Sequence, residues 1–293
     1  MIHPLSMSDS TSSTHFQFTQ SRFVSLFCPI LSGVLLALSL PPWGYAQLSW
    51  IALLPLIFAL WNRPAPSSNT RFDWPAFRIG YTFGISYFTI TFHWLSALAP
   101  LWQTPIFYFL PLFLALYLSL YPALWCWLLA TPPKRRINPI TTSFSNIAYA
   151  CSAASAWIIF DWIRSWLFSG FGWNAPGTAL HNNPVIIQIA NIFGVYGVTF
   201  LIIFTNISIA LVIRRIAATP SLHTLPIVRY ELMTTLLLVG SAVTYGASTI
   251  TKSPRTGFPL NVICLQPNQP QELLFEESSN QIIFDTLDRL MQQ

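Results

Sequence analysis

The chain has 293 residues, of which 53% are hydrophobic and 8% charged, with 14 Lys and Arg against 9 Asp and Glu. A soluble domain carries about 25% charged residues, so a soluble globule is excluded, and the abundance of Leu, Ile, Val and Phe excludes intrinsic disorder. The four cysteines, Cys28, Cys126, Cys151 and Cys264, are scattered and form no CxxC or Cys/His cluster, so neither a disulfide framework nor a metal site is indicated.

Residues 1–22 are rich in Ser and Thr and read as a disordered cytoplasmic tail. Beyond them, charge vanishes over long intervals: Phe23 to Asn62, Ile79 to Pro133, Ile137 to Phe160, Ser165 to Ile213, and Leu232 to Thr251. A helix crosses the hydrocarbon core with about 20 apolar residues. The intervals therefore predict seven transmembrane spans, at 23–40, 44–61, 78–99, 104–130, 147–168, 185–213 and 231–251. The first has no small-residue cleavage site before Pro41-Pro42 and reads as a retained anchor rather than a signal peptide.

The loops alternate in charge. Arg22 precedes the first span; Arg63, Arg71 and Arg78, then Lys134, Arg135 and Arg136, then Arg214, Arg215 and Arg229 occupy every second loop. The intervening loops, near 41–43, 100–103 and 169–184, hold no Lys or Arg. By the positive-inside rule the N-terminus is cytoplasmic and everything after Thr251 lies outside. The net charge of +5 is thereby accounted for by cytoplasmic loop anchors, with no call for nucleic acid as a partner.

After residue 251 the composition changes. Pro254, Gly257 and Pro259 mark a linker, and Leu260 to Gln266 reads as a short, largely buried strand. Ser278 and Gln281 make a capping box for a helix whose apolar stripe is Ile282, Ile283, Leu287, Leu290 and Met291, with Asp285 and Arg289 at i,i+4. One strand and one helix cannot form a core alone, so residues 252–293 read as the start of a larger α/β domain. The expected fold is thus an α-helical polytopic membrane protein of about seven transmembrane helices, followed by that strand and helix.

Four features within this frame carry chemistry. Asp161 and Arg164 stand at i,i+3 in the fifth span, where ionisable groups are costly. Arg164 either meets a phospholipid head group, braces an outer domain, or forms a structural ion pair with Asp161. The loop 169–184, with Gly170, Phe171, Gly172, Trp173 and His181, either lines an acyl-chain entrance or forms an interfacial aromatic belt. His93 is either a lipid or substrate ligand or is hydrogen-bonded within the bundle. Gly80-x-x-x-Gly84 permits close helix approach.

In order along the chain, Leu38-Ser39-Leu40-Pro41-Pro42-Trp43, Gly80-Tyr81-Thr82-Phe83-Gly84, His93-Trp94-Leu95 and Ala115 to Tyr121 form a series of stations. Asp161-Trp162-Ile163-Arg164-Ser165-Trp166, Ser169 to Trp173, Asn191 to Val195 and Val262 to Gln271 continue it. In order, spacing and topology the series resembles the apolipoprotein N-acyltransferases of the bacterial inner membrane. The resemblance implies a helix bundle carrying a nitrilase-like (carbon-nitrogen hydrolase) domain on the periplasmic side. It implies transfer of an acyl chain from a membrane phospholipid to the N-terminal diacylglyceryl-cysteine of a lipoprotein, without metal or cofactor. The family's Cys nucleophile, Glu base and oxyanion-stabilising Lys lie downstream of the last station, beyond Gln293, so no catalytic residue is expected in this chain.

Carried over position by position, the resemblance makes Gln266 and Asn268 substrate-side candidates, with Pro267 where the family has Gly. Phe275 stands where the family has a Trp near the substrate entrance. With Asp161, Arg164, Trp173 and His93, these are the candidate lipid- or substrate-facing residues. Cys264 falls within the expected strand and is not the nucleophile. The chain reads as a truncated or partial form, as one half of a separately encoded pair, or as a pseudoenzyme. The rival is a non-enzymatic polytopic protein, a lipid-binding subunit or small transporter, for which the spans offer few polar groups.

Overall fold

A computed structural model describes residues 22–63, 72–134, 139–218, 225–252, 262–268 and 280–292. Its α-helices are α1 (Arg22–Leu38), α2 (Leu54–Trp61), α3 (Trp74–Thr91), the one-turn α4 (Leu98–Leu101), α5 (Leu110–Leu118), α6 (Leu120–Leu128), α7 (Pro139–Trp166), α8 (Ala190–Ala217), α9 (Leu225–Lys252) and α10 (Asn280–Met291).

Each interval expected to span contains helix. Among the described residues, four helical runs are long and apolar enough to cross a membrane: Pro105–Leu128, Ile140–Ser169, Ile186–Ala217 and Tyr230–Lys252. Phe23–Leu38 and Ala46–Trp61 are shorter apolar helices, and α3 carries Arg78 in its second turn. The stretch expected to run unbroken over 44–61 is interrupted. A 3-10 turn at Ala46–Trp50 is followed by the eight-residue α2, which begins at Leu54-Pro55. Proline has no N–H and suits a first helical turn, so the helix restarts there.

The break frees backbone groups inside an apolar bundle, and side chains of other helices meet them. Asn206 of α8, fully buried, accepts from Leu53 N–H at 2.9 Å and donates to the Ser49 carbonyl at 2.8 Å. Ser32 of α1 accepts from Leu56 N–H at 2.7 Å. Non-helical backbone at membrane depth is tolerated only under this kind of satisfaction.

Close packing is set by small residues. A Cβ on Gly84 would lie 2.7 Å from Ser119 Cα, and one on Gly80 would meet the Pro122 carbonyl, so both glycines of the Gly80-x-x-x-Gly84 motif let α3 lie against α5 and α6. On another face of α3, a Cβ on Gly33 of α1 would be 2.8 Å from the Phe83 carbonyl oxygen. α8 is the hub: 72% of its apolar window is buried, against 11% for α9.

The C-terminal segment departs from expectation. Among the described residues there is no strand, and 262–268 run without regular structure. A strand's backbone groups need a neighbouring strand, and none is available here. Val262 and Ile263 are 68% and 85% exposed, and Cys264 is exposed rather than buried. α10 forms with no buried residue on its apolar stripe, and Asp285 accepts from Gln281 Nε2 at 3.0 Å. Ser278 of the expected capping box lies outside the described residues.

Candidate functional site

The last turns of α7 bring Trp157, Asp161 and Arg164 onto one face, as i,i+4 and i,i+3 spacing dictates. Asp161 Oδ1 accepts from Arg164 Nη2 at 3.0 Å, and Asp161 Oδ2 accepts from the Trp157 indole N–H at 3.0 Å. Beyond Trp166 the chain turns sharply through Phe168, Ser169 and Gly170, all at positive φ. Any Cβ at Gly170 would strike the Ser165 carbonyl, so only glycine completes the turn.

The reversed loop comes back across the guanidinium. Arg164 Nη1 donates to the Phe171 carbonyl at 3.0 Å and to the Trp173 carbonyl at 2.8 Å. The loop is also held from α3, where Tyr87 Oη donates to the Asn174 carbonyl at 2.6 Å. From α8, Thr199 Oγ1 accepts from Gly177 N–H at 3.0 Å. Arg164 lies 5.5 Å from the centre of the Phe88 ring, and its side chain is 2% exposed. The cavity beside it, bounded by Phe83, Tyr87, Trp157 and Asp161, measures about 10 Å³, at most one water's space. Arg164 therefore directs its two terminal nitrogens to Asp161 and two loop carbonyls, and its Nε is buried without a hydrogen-bond partner among the described residues.

Trp173 sits differently. It is 59% exposed and stacks on Trp94 with ring centres 5.4 Å apart. His93 is exposed, its Nδ1 lies 2.9 Å from the carbonyl oxygen of Ile90, one turn earlier, and its ring lies 5.2 Å from that of Trp43. Trp43, His93, Trp94 and Trp173 thus form an exposed aromatic surface at the end of the bundle whose loops lack Lys and Arg. Gln266 and Asn268 are exposed and make no hydrogen bond among the described residues. Phe275 lies outside the described residues.

Near the same end, α7, α8 and α9 leave an apolar groove of about 610 Å³ bounded by Ile158, Phe193, Tyr196, Phe200, Leu238 and Tyr245. Asn191 Nδ2 and Tyr245 Oη approach to 3.4 Å at its margin.

The opposite, basic end holds a second buried charge cluster that the sequence reading missed. Arg215 of α8 pairs with Glu231 of α9 at 2.5 Å. Ser143 Oγ and Asn146 Nδ2 of α7 donate to the same carboxylate at 3.0 and 2.9 Å. Arg215 had the position of a solvated loop anchor, yet it is 7% exposed and Glu231 is 1% exposed. The available signal was Glu231 itself, an acid at the mouth of an apolar run beside Arg229.

A third pair, Arg63 and Asp73, closes the α2–α3 connection, with Arg63 also donating to the Ala130 carbonyl at 2.5 Å. Desolvation opposes ionisation of Asp73. The Arg63 guanidinium and the Ala76 N–H outweigh it and hold the carboxyl below its ordinary range.

A profile of the apolipoprotein N-acyltransferase N-terminal domain matches residues 32–208, an interval that contains the Asp161–Arg164 site, the 169–184 loop and Asn206. The chain is similar to the apolipoprotein N-acyltransferase of Geobacter metallireducens, with 30% identity over 269 residues covering 89% of this chain and 46% of that protein. It is 30% identical to that of Rhizobium rhizogenes over 202 residues, 66% of this chain and 35% of that protein. For that of Rickettsia bellii the identity is 27% over 202 residues, 68% of this chain and 37% of that protein. The chain spans less than half the length of these relatives. Matched over most of its own length, the chain belongs to the apolipoprotein N-acyltransferase family.

Proposed function

We propose that this chain is the membrane portion of an acyltransferase that moves an acyl chain from a phospholipid to the N-terminal amine of a diacylglyceryl-cysteine lipoprotein. On this reading it crosses the bacterial inner membrane seven times, N-terminus cytoplasmic and C-terminus periplasmic, with the three shorter or charged helical segments crossing as part of the packed bundle. Residues 252–293 lead into a nitrilase-like domain. The catalytic Cys, Glu and Lys come from a further segment of the protein or from a separately encoded half.

The observation that carries the reading is the groove of about 610 Å³ between α7, α8 and α9. It is apolar and lies toward the Lys252 end of α9. An acyl chain of a phospholipid can lie in it while the ester is presented beyond the bundle. Apolar pockets with a few polar groups at the rim are the usual form of a lipid-chain site. Arg164 is a positioning residue on this reading. It fixes the 171–174 loop, and with it the exposed Trp173–Trp94 stack, at the membrane face beneath the catalytic domain.

Chemistry follows in two steps. A thiolate attacks the phospholipid ester to give a thioester and a lysophospholipid, and the lipoprotein amine then attacks the thioester to give an amide. On this reading Cys264 is not the thiolate, because it stands where the resemblance places an apolar residue, upstream of the family's nucleophile. The 293-residue polypeptide given phospholipid alone is expected to form no hydroxylamine-sensitive acyl adduct. Supplied with a catalytic half, it is expected to acylate a diacylglyceryl peptide, and Leu238→Trp, which fills the groove, should depress that activity. An adduct on Cys264, or full activity in the groove-filled variant, overturns the reading. Reporter fusions after Lys134 and after Lys252 should report opposite sides; same-side signals overturn the seven crossings.

A further inference from the structure

The basic end of the bundle carries a second lipid-shaped site, away from the acyl groove. Between α2 and α8 runs a groove of about 640 Å³ walled by Leu54, Phe58, Ala210, Ile213 and Ala217, with Asn62 and Arg214 at its rim. A smaller hollow of about 70 Å³, whose lining includes Thr142, Asn146 and Arg215, shares Arg214 and Ala218 with it. The two hollows meet at Arg214, with the polar side chains of Thr142, Asn146 and Arg215 lining the smaller one.

That cation lacks a charge partner. Among the described residues no carboxylate pairs with Arg214, whereas its neighbour Arg215 is matched by Glu231 at 2.5 Å. Arg214 is held in place by other means. Its guanidinium lies 5.7 Å from the centre of the Trp61 ring, and Nη1 donates to the Pro133 carbonyl at 3.3 Å. Lys134, next in sequence, is exposed. Trp61 beside a guanidinium at the end of an apolar wall marks the depth of a membrane interface.

We infer that this site holds an anionic phospholipid, its phosphate on Arg214 and one acyl chain along the α2–α8 groove. The guanidinium fork suits phosphate oxygens. A free phosphate ion would use only the Arg214 end, and a neutral lipid only the groove; a cation at the rim of an apolar groove selects an amphiphile with a negative head. The inference rests on membrane embedding and not on acyl transfer, since this lipid lies at the end of the bundle opposite the groove assigned to the acyl donor. It would tie α2, the short helix restarted at Pro55, to the hub helix α8.

The test uses the full chain, delipidated in neutral detergent, with retained lipid counted by native mass spectrometry. Phosphatidylglycerol, phosphatidylcholine of the same chains, and glycerol 1-phosphate are titrated in turn. Phosphatidylglycerol is expected to bind about fivefold tighter than phosphatidylcholine, the equivalent of about 1 kcal/mol for one interfacial cation. Arg214→Gln should erase that preference by bringing phosphatidylglycerol down to the affinity of phosphatidylcholine, while Arg214→Lys, which keeps the charge, should retain most of it. Ala217→Phe, which fills the groove, should weaken both lipids. Equal binding of the two lipids, saturation by glycerol 1-phosphate as tightly as by phosphatidylglycerol, or an intact preference in Arg214→Gln overturns the inference.

Discussion

Helices α8 and α9 have the same length and both begin or end in charge, yet one is the centre of the molecule and the other lies on its outside. In α8, 72% of the apolar window is buried, and in α9 11%. Hydrophobicity does not explain the difference, because lipid accepts apolar side chains as readily as a protein interior does. What separates them is how their polar side chains are used. On α8, Asn206 and Thr199 reach across to the backbone of other segments. On α9, Thr234, Thr235, Ser248 and Thr249 bond carbonyls of their own helix. The cross-segment bonds of α8 come from fully buried side chains, whereas the self-bonded hydroxyls of α9 are half-buried.

The strongest way to break the contrast is to cut the buried ion pair that ties α9 to α8. Glu231→Ala leaves Arg215 buried without its carboxylate and should cost about 3–5 kcal/mol of stability. It should be read as a fall in thermal midpoint and folded yield in detergent. Adding Arg215→Met should recover part of the loss. Asn206→Leu comes next. It leaves the Leu53 N–H and the Ser49 carbonyl without their side-chain partner and should cost about 2–3 kcal/mol, with the α2 region losing hydrogen-exchange protection first.

The Asp161–Arg164 pair sharpens the same point at the other end of the bundle. Asp161→Asn and Arg164→Gln should be non-additive, with a coupling of about 0.5–3 kcal/mol in a double-mutant cycle; additive effects would assign the two residues separate roles. The Arg63–Asp73 clamp should show itself in pH. A carboxyl depressed in the folded state contributes fully above its unfolded value of about 3.9 and loses that contribution as pH falls through the lower folded value. Stability in detergent should therefore be flat with respect to this group from pH 7 to pH 5 and fall below that, and Asp73→Asn should flatten the acid limb. Smallest of all, Leu237→Ala on the outer face of α9, where the residue is 69% exposed, should change stability in detergent by less than about 0.5 kcal/mol.

Much of the bundle was legible in the sequence because its signals are local. Charge-free runs marked the helices, loop arginines distinguished the two ends, and the i,i+3 spacing of Asp161 and Arg164 put the pair on one face. Gly80 and Gly84 announced a close contact that the structure places against α5 and α6. The rest depends on partners far along the chain. Pro55 hinted at a break, but only the distant Asn206 makes the break tolerable. Arg215 resembled any other loop cation until α9 brought Glu231 beside it. At the site, the Trp94–Trp173 stack joins segments that no periodicity connects. The strand expected at 260–266 had the right composition, but over 262–266 no strand lies beside it among the described residues.

The bond between Asn206 and the α1–α2 break also carries a timetable. Leu53 and its partner are 153 residues apart, so the interrupted hairpin is made long before the side chain that completes it. At 5–20 residues per second a ribosome needs roughly 8–30 s to cover that distance. During that interval the free N–H of Leu53 has no Asn206 to meet and must remain near water, other helices or the insertion machinery. The N-terminal third of the bundle is therefore born unfinished, and its final settling in the bilayer waits on the arrival of its sixth apolar segment.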